Sequence, residues 1–316
     1  MTEQVLKNEK TRNIAKVLYA LFYLALFIIS LTLSLLYPDE IKGSITNGIR
    51  LSVYTVIPAL FPFMILSDYL SKIYVLNNGP IAKIVTKPFG LPVCCAPAIL
   101  CGNLCGFPLG AKIISDQFNF GKIKSNQAER ALGLASNPSL AFVVSGVGGG
   151  LLRNVKYGIL LYITLIIATV ITGILFRSNE HISNICDYNS EQNLNLANSI
   201  KQAALSCIYI SSFIIFFSYV SGVMSCFIKN ERIALIVSIF LEISNSAKDL
   251  ARVLNENRIL LPLLAFSLGF SGFSVHMQTS AMINKEIKMH YYFMEKITEG
   301  LLCMALMFIF VLFLRL

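Results

Sequence analysis

Long apolar runs, joined by short polar loops, recur from one end of the chain to the other. The first run extends from Val17 to Tyr37 and follows the basic stretch MTEQVLKNEKTRNIAK. Further runs lie near residues 48–71, 94–117, 131–152, 157–176, 198–228, 233–248, 259–283 and 293–314. A helix needs about 20 apolar residues to cross a bilayer. The pattern therefore predicts an all-α, polytopic transmembrane protein in which eight or nine segments enter the membrane.

Four of these runs are interrupted by residues that disfavour a helix. The interruptions, called breaks 1 to 4 below in chain order, are GNLCGFPLG at 102–110, SNPS at 136–139, EISNS at 242–246 and LGFSGFSVHMQ at 268–278. In a helix interior glycine costs about 1 kcal/mol relative to alanine, and proline costs about 3 kcal/mol. Non-helical backbone persists at membrane depth only where it faces protein or a water-filled cavity. The four breaks therefore predict one shared polar cavity.

The chain divides into two similar halves. NGIRLSVYTVIPALFPFMILSDYL, which starts at Asn47, aligns with NSIKQAALSCIYISSFIIFFSYVS, which starts at Asn198, and each half then carries two broken runs. Weak internal repeats of this kind are typical of secondary transporters. The predicted division is a tail with a first transmembrane helix at 1–38, a first repeat at 39–176, a polar linker at 177–197 and a second repeat at 198–316. The repeats are inverted if break 1 forms a re-entrant hairpin and parallel if its segment crosses the membrane, and we favour the inverted arrangement.

Composition narrows the class of protein. Of the 316 residues, 55% are hydrophobic and 14% are charged, with a mean hydropathy of +0.68, which is far too apolar for a water-soluble domain. The formal net charge of +9 reflects lysines and arginines in short loops and at helix ends, where such residues set topology and meet anionic lipid. We therefore expect a cytoplasmic amino terminus, contact with the lipid bilayer and no nucleic-acid partner.

Enzyme chemistry is not indicated by the sequence. Most of the eight cysteines lie in apolar or broken-helix sequence, and no histidine follows them at the spacing of a zinc site. No nucleophile with a partner base stands out, and the longest polar stretch, at 177–199, is too short to form a soluble domain. We therefore predict a protein that is not an enzyme and that has no catalytic residues, no metal and no cofactor.

Glu242 is the strongest single candidate for function, because no basic residue lies in the nine positions before it. An ionisable group at mid-membrane costs at least about 2.5 to 3.5 kcal/mol and is usually functional. We assign Glu242, together with Asn245, to binding a coupling cation, to carrying a proton, or to gating. The alternative is a position nearer the interface, where Glu242 would pair with Lys248 or Arg252.

The candidates for substrate binding lie in or beside the breaks. Free N–H groups at half-helix amino ends bind anions, whereas free C=O groups at carboxyl ends bind cations. Pro138 disfavours a helical conformation at Asn137, which leaves the Asn137 amide as a ligand contact or as a polar plug. His276 is either a ligand contact or a satisfied core residue. The full set of substrate-binding candidates is Asn103, Gly106, Lys112, Ser136, Asn137, Ser271, His276 and Gln278.

These motifs resemble those of a known family. The resembling stretches are ALFPFMILSDYL at 59–70, GFPLGAK at 106–112, LASNPSLAF at 134–142, LEISNSAKDL at 241–250 and GFSGFSVHMQ at 269–278. They are similar to stretches of membrane proteins with the Gate, or nucleoside recognition, domain. Within that family the resemblance is to the YlbJ/SpoVV-like sporulation integral membrane proteins.

The resemblance implies a carrier of dipicolinic acid across the outer forespore membrane. Half-helix amino ends, Lys112 and His276 would then meet the two carboxylates, while Glu242 would bind a coupling cation or proton or act as a gate. Other Gate-domain proteins include nucleoside transporters and spore maturation proteins, so a carrier of nucleosides or other small solutes is the second hypothesis. A third is a non-transporting membrane scaffold, which would be favoured if the four breaks plugged one another and left no room for a solute.

Overall fold

The computed structural model describes residues 27–70, 79–177, 195–254 and 256–315, together with residues 21, 24 and 25. All regular secondary structure within these ranges is helical, which confirms the predicted all-α, polytopic architecture. The predicted amino-terminal tail and most of the predicted polar linker lie outside the described residues.

The helices are numbered α1 to α14 in chain order. They are α1 (Phe27–Leu36), α2 (Pro38–Leu51), α3 (Ile57–Leu70), α4 (Pro80–Thr86), α5 (Ala96–Cys105), α6 (Leu109–Asn119), α7 (Ser125–Ala135), α8 (Val155–Leu175), α9 (Leu196–Phe227), α10 (Glu231–Leu241), α11 (Ile243–Val253), α12 (Asn257–Phe270), α13 (Gly272–Met282) and α14 (His290–Leu314). One π-helical segment, Ser52–Val56, joins α2 to α3, and a second, Phe142–Leu151, lies between α7 and α8.

Several helices are suited to a bilayer. Within the described residues four helical spans are long and apolar enough to cross a membrane, namely α8, α9, α14 and α12 with α13. Two bent pairs raise the number to six if each is one span: Pro38–Val56 with Leu60–Leu66, bent by 48°, and Pro80–Phe89 with Val93–Cys105, bent by 101°. Together with the apolar composition, these spans make the chain an integral membrane protein.

Each break ends one helix and precedes another. At break 1, α5 ends before Gly106, whose φ of +89° is a conformation that other residues rarely adopt. At break 2, α7 ends at Ala135, and Pro138 has no N–H with which to continue the helix. At break 3 Glu242 is extended, and at break 4 Ser271 has a φ of +73°. The predicted interruptions of the helices are therefore present at all four places.

Break 1 folds the chain back on itself. Gly102 in α5 and Gly110 in α6 both pack against Ala135, because a Cβ added at either glycine would lie 2.7 or 2.8 Å from the Ala135 carbonyl carbon. In a continuous helix two residues eight positions apart would be separated by about 12 Å. The segment is therefore a hairpin, and its close approach to α7 requires glycine at both positions.

The two halves have the same order of elements. In each half a long helical segment, α2 with α3 or α9, is followed by two broken segments and a final long helix, α8 or α14. The first pair of corresponding segments runs antiparallel, because Gly48 of α2 packs against Ser218 of α9 whereas Gly222 of α9 packs against the earlier Ser44.

The last helices of the two halves, α8 and α14, are also antiparallel. Thr169 Oγ1 in α8 lies 2.5 Å from Glu299 Oε1 in α14. Arg130 donates to the carbonyl of Phe176, just after α8, and its guanidinium lies over the ring of Tyr291, near the start of α14. The end of one helix therefore adjoins the start of the other. Antiparallel pairs of corresponding helices are the arrangement that an inverted repeat produces.

Gly102→Ala is expected to lower the free energy of unfolding by about 1 to 3 kcal/mol, because the new methyl group would overlap the Ala135 carbonyl, which is backbone and cannot rotate away. The matched control is Gly43→Ala in α2, where nothing lies within 4 Å of the new Cβ. The control should stabilise the protein slightly, since alanine favours a helix by about 1 kcal/mol. Thermal unfolding of the purified protein in detergent measures both, and equal midpoints for the two variants would contradict the hairpin packing.

Candidate functional site

The four breaks meet at one pocket. Its walls come from all four breaks and from the facing sides of α3, α9 and the π-helical segments. The lining residues are Val56, Leu60, Gly106, Phe107, Ser139, Phe142, Ile210, Ile214, Glu242, Ile243, Ser244 and Gln278. The cavity volume is about 20 Å³, which accommodates a water molecule but not an organic solute. The pocket is therefore too small for an organic solute in this conformation, which is called the closed state below.

The breaks also contact one another directly, in pairs. In the first half, the Phe107 N–H of break 1 donates to the Asn137 carbonyl of break 2 at 3.0 Å. In the second half, a Cβ added at Gly272 of break 4 would lie 3.2 Å from the Glu242 nitrogen of break 3. The irregular backbone of each half is thus packed against irregular backbone of the same half.

Glu242 forms the amino-terminal cap of α11. Its Oε2 accepts a hydrogen bond from the Asn245 N–H at 2.7 Å, and the residue is only 2% exposed. The Asn245 side chain in turn donates to Ser218 Oγ of α9 at 2.8 Å. Arg252, which the sequence offered as an alternative partner of Glu242, instead lies 3.9 Å from Asp249. Glu242 therefore belongs to the pocket and to the start of α11.

Four half-helix amino ends converge near the pocket. Helices α6, α11 and α13 and the π-helical segment Phe142–Leu151 all begin at a break. The N–H groups and the dipole at such ends favour anions. Two of these ends are already capped by side chains, because Glu242 caps α11 and Ser139 Oγ accepts from Phe142 N at 3.1 Å. The arrangement can bind an anion through backbone donors, and Glu242 already places one carboxylate there.

The side chains of Asn103 and Asn137 join breaks 1 and 2. Asn137 Nδ2 donates to Asn103 Oδ1 at 2.8 Å and to Thr169 Oγ1 at 3.0 Å. Asn103 Nδ2 donates to the carbonyls of Ile99 and Leu134. In this conformation both amides are bonded within the protein, which is the polar-plug arrangement of Asn137.

A buried ion pair on α14 completes this network. Lys296 Nζ donates to Asn137 Oδ1 at 2.6 Å and to Glu299 Oε2 at 2.7 Å, and the two charged side chains are 0% and 1% exposed. Glu299 Oε1 in turn contacts Thr169 Oγ1. The sequence analysis did not single out these residues, because they lie at the start of the strongly apolar run 293–314. The available signal was the charged stretch MEKITE within that run.

Three further candidates lie apart from the pocket lining. Lys112 is partly exposed and donates to Gln202 Oε1 at 3.4 Å, near the start of α9. Ser136 is fully buried, and its hydroxyl has no partner among the described residues. Ser271 Oγ donates to the Leu268 carbonyl of its own break. Of these three, only Ser136 has a free polar group in the interior.

His276 and Gln278 are both buried in α13 but have different surroundings. His276 Nδ1 lies 2.9 Å from the Tyr292 hydroxyl, its ring packs edge-on against Phe270, and its Nε2 has no partner within the described ranges. Gln278 lines the pocket and donates to Ser274 Oγ at 3.2 Å. The Gln278 Oε1 has no hydrogen-bond partner among the described residues. Gln278 is therefore a pocket residue, whereas His276 belongs to an aromatic cluster.

Fold and site together define a class, namely a polytopic integral membrane protein whose broken helices line a mostly apolar pocket that contains Glu242 and Gln278. The chain is similar to the sporulation integral membrane protein YlbJ of Bacillus subtilis (strain 168), with 22% identity over an alignment of 332 positions that covers 88% of this chain and 79% of that protein. No family model matches the chain, and no solved structure matches it either. The likeness to YlbJ is distant but extends over most of both chains, and it is compatible with a membrane role in sporulation.

Thr169→Val is expected to lower the free energy of unfolding by about 1 to 3 kcal/mol, because it deprives Asn137 Nδ2 and Glu299 Oε1 of a buried partner. The matched control is Thr164→Val on the same helix, since Thr164 is also buried but bonds to the Leu160 carbonyl of its own helix. The control should lose less than about 1 kcal/mol. Unfolding in detergent compares the two variants, and equal losses would argue against a network that joins α8, break 2 and α14.

Proposed function

We propose that this protein carries a small organic anion across a membrane during sporulation, and that the anion is dipicolinic acid, which crosses the outer forespore membrane. The observation that carries the proposal is that the amino ends of α6, α11 and the π-helical segment Phe142–Leu151 border one pocket that contains the buried Glu242. Backbone N–H groups at such ends are ready-made sites for carboxylates. The motif resemblance to Gate-domain proteins supports a carrier, and the likeness to YlbJ supports the sporulation context.

The closed pocket corresponds, in this proposal, to an occluded resting state. A cavity of about 20 Å³ has no room for dipicolinate, so the breaks must part for transport. Transporters with inverted repeats expose a midplane site by moving one repeat against the other. The hydrogen bond between breaks 1 and 2 and the packing of break 3 against break 4 would hold the closed state, and the hydrogen bond between breaks 1 and 2 would break on opening.

Glu242 is the proposed ion-coupling or gating residue, together with Asn245. In the closed state its carboxylate caps α11 in the place that a substrate anion could occupy. A cation or proton bound at Glu242 would weaken this cap and free N–H groups for the substrate. Without such neutralisation, the charge of Glu242 would repel an incoming anion inside the pocket.

The size of the pocket favours a second candidate function, a non-transporting membrane scaffold. A scaffold needs no cavity, and the breaks pack against one another. It gives no reason, however, for the buried Gln278 Oε1 of the pocket lining to lack a partner. Intramembrane polar groups of this kind are costly and mark solute or ion pathways. The carrier therefore remains the function that the site supports best.

Transport across liposome membranes separates these functions. The purified protein is reconstituted into liposomes that contain terbium ions, whose luminescence rises when dipicolinate enters. Entry faster than in protein-free liposomes is expected, and an excess of nucleoside should not slow it. Nucleoside uptake without dipicolinate entry would support the nucleoside carrier, and uptake of neither solute would support the scaffold.

Glu242→Gln is expected to abolish this dipicolinate entry, because a side chain that is always neutral cannot regain the charge that releases the substrate and restores the cap of α11 in each transport cycle. The matched control is Asp249→Asn on the same half-helix, where the carboxylate is 32% exposed and pairs with Arg252. The control should carry dipicolinate at the wild-type rate. Immunoblots establish that equal amounts of both variants are reconstituted. Dipicolinate entry at the wild-type rate in the Glu242 variant would contradict the proposed role of Glu242 in ion coupling or gating.

A further inference from the structure

One buried ion pair lies outside the pocket lining described above. Among the described residues Lys296 is the one lysine or arginine that is buried, and its Nζ bonds to Glu299 Oε2 and Asn137 Oδ1. Taking two charges out of water is costly, and an apolar pair of similar volume often stabilises a fold equally well. An ionisable residue inside a membrane segment is therefore a functional candidate by default.

Three buried residues that are close in sequence to members of this network carry polar atoms without a partner in the described part of the chain. Ser136 Oγ, Thr172 Oγ1 and Glu295 Oε2 are buried without a hydrogen-bond partner in the described part of the chain, and the three residues are at most 1% exposed. Ser136 precedes Asn137, and Glu295 precedes Lys296. Buried polar atoms in native proteins are nearly always bonded to protein, water or a ligand. These three atoms, two of which are hydroxyl donors, are therefore spare hydrogen-bonding capacity in segments that contribute to the network.

The ion pair is connected to the transport pocket through Asn137. The Asn137 carbonyl accepts from Phe107 N, and Phe107 lines the pocket. Separation of breaks 1 and 2 would break this hydrogen bond and bring the pocket into contact with Lys296. Glu299 has a second anchor in Thr169, so it can release Lys296 and still keep a hydrogen bond.

We propose that Lys296 binds a carboxylate of the carried anion and that Glu299 is the substitute anion that occupies this position in the closed state. This inference rests on the proposed function. When the breaks part, the incoming carboxylate replaces Glu299 Oε2 at Lys296 Nζ, and the Ser136 hydroxyl donates to it. Lys296 thus supplies a formal positive charge for a small carboxylate, whereas Lys112, which the sequence favoured for this role, lies outside the pocket lining.

Ligand-induced stabilisation of the purified full-length protein in detergent tests this assignment. The probe is dipicolinate, and the control ligand is pyridine-2,6-dicarboxamide, which has a similar shape without the charges. In the wild type, dipicolinate should raise the unfolding midpoint and the dicarboxamide should not. The double variant Lys296→Met/Glu299→Gln leaves neither charge unpaired, and it should bind dipicolinate about tenfold or more weakly. Lys112→Met is the matched control and should bind dipicolinate like the wild type.

A single variant keeps the inference testable if the double variant does not fold. Glu299→Gln retains a hydrogen-bond acceptor for Lys296 but removes the competing charge, so dipicolinate should bind several-fold more tightly. Unchanged or weaker binding by this variant, or wild-type binding by the folded double variant, would overturn the assignment while the proposed function stands. A wild type that neither binds dipicolinate nor carries it would overturn the proposed function itself, and the assignment with it.

Discussion

Backbone N–H and C=O groups inside a bilayer have no water to bond with, and this constraint organises the rest of the structure. Each half of the protein contains two breaks that free such groups, and each half packs its two breaks together. The hydrogen bond from Phe107 N to the Asn137 carbonyl joins breaks 1 and 2, and Gly272 packs against Glu242 where breaks 3 and 4 meet. The two breaks of each half therefore cover part of each other's irregular backbone.

The breaks could be predicted from the local sequence, but the residues that bond to them could not. Gly106 adopts a positive φ and Pro138 lacks a donor, so both interruptions of the helix are visible in the sequence. The partner of Asn137 is Lys296, which is 159 residues away and leaves no local signature of the pairing. The motif that contains Lys112 pointed to that lysine instead, although its side chain lies apart from the pocket. The signal for Lys296 was the presence of three ionisable residues within six positions of the apolar run 293–314.

The breaks of the two halves are bonded to charged side chains of opposite sign. The second half uses its own Glu242, which caps α11 beside break 4. The first half has no such residue in its breaks, and its Asn137 is held by Lys296 from the second half. Both arrangements meet at Phe107, which bonds to Asn137 and lines the pocket with Glu242. A coupling ion bound at Glu242 and a substrate carboxylate bound at Lys296 would therefore both act on the hairpin of break 1.

A structure determined with saturating dipicolinate tests the central claim most directly. The expected result is an enlarged pocket, with the dicarboxylate between breaks 1 and 3 and one carboxylate at Lys296 Nζ. The hydrogen bond between Phe107 and Asn137 should then be broken. Breaks that keep their present contacts around an empty pocket at saturating dipicolinate would contradict the claim that these breaks form a transport site.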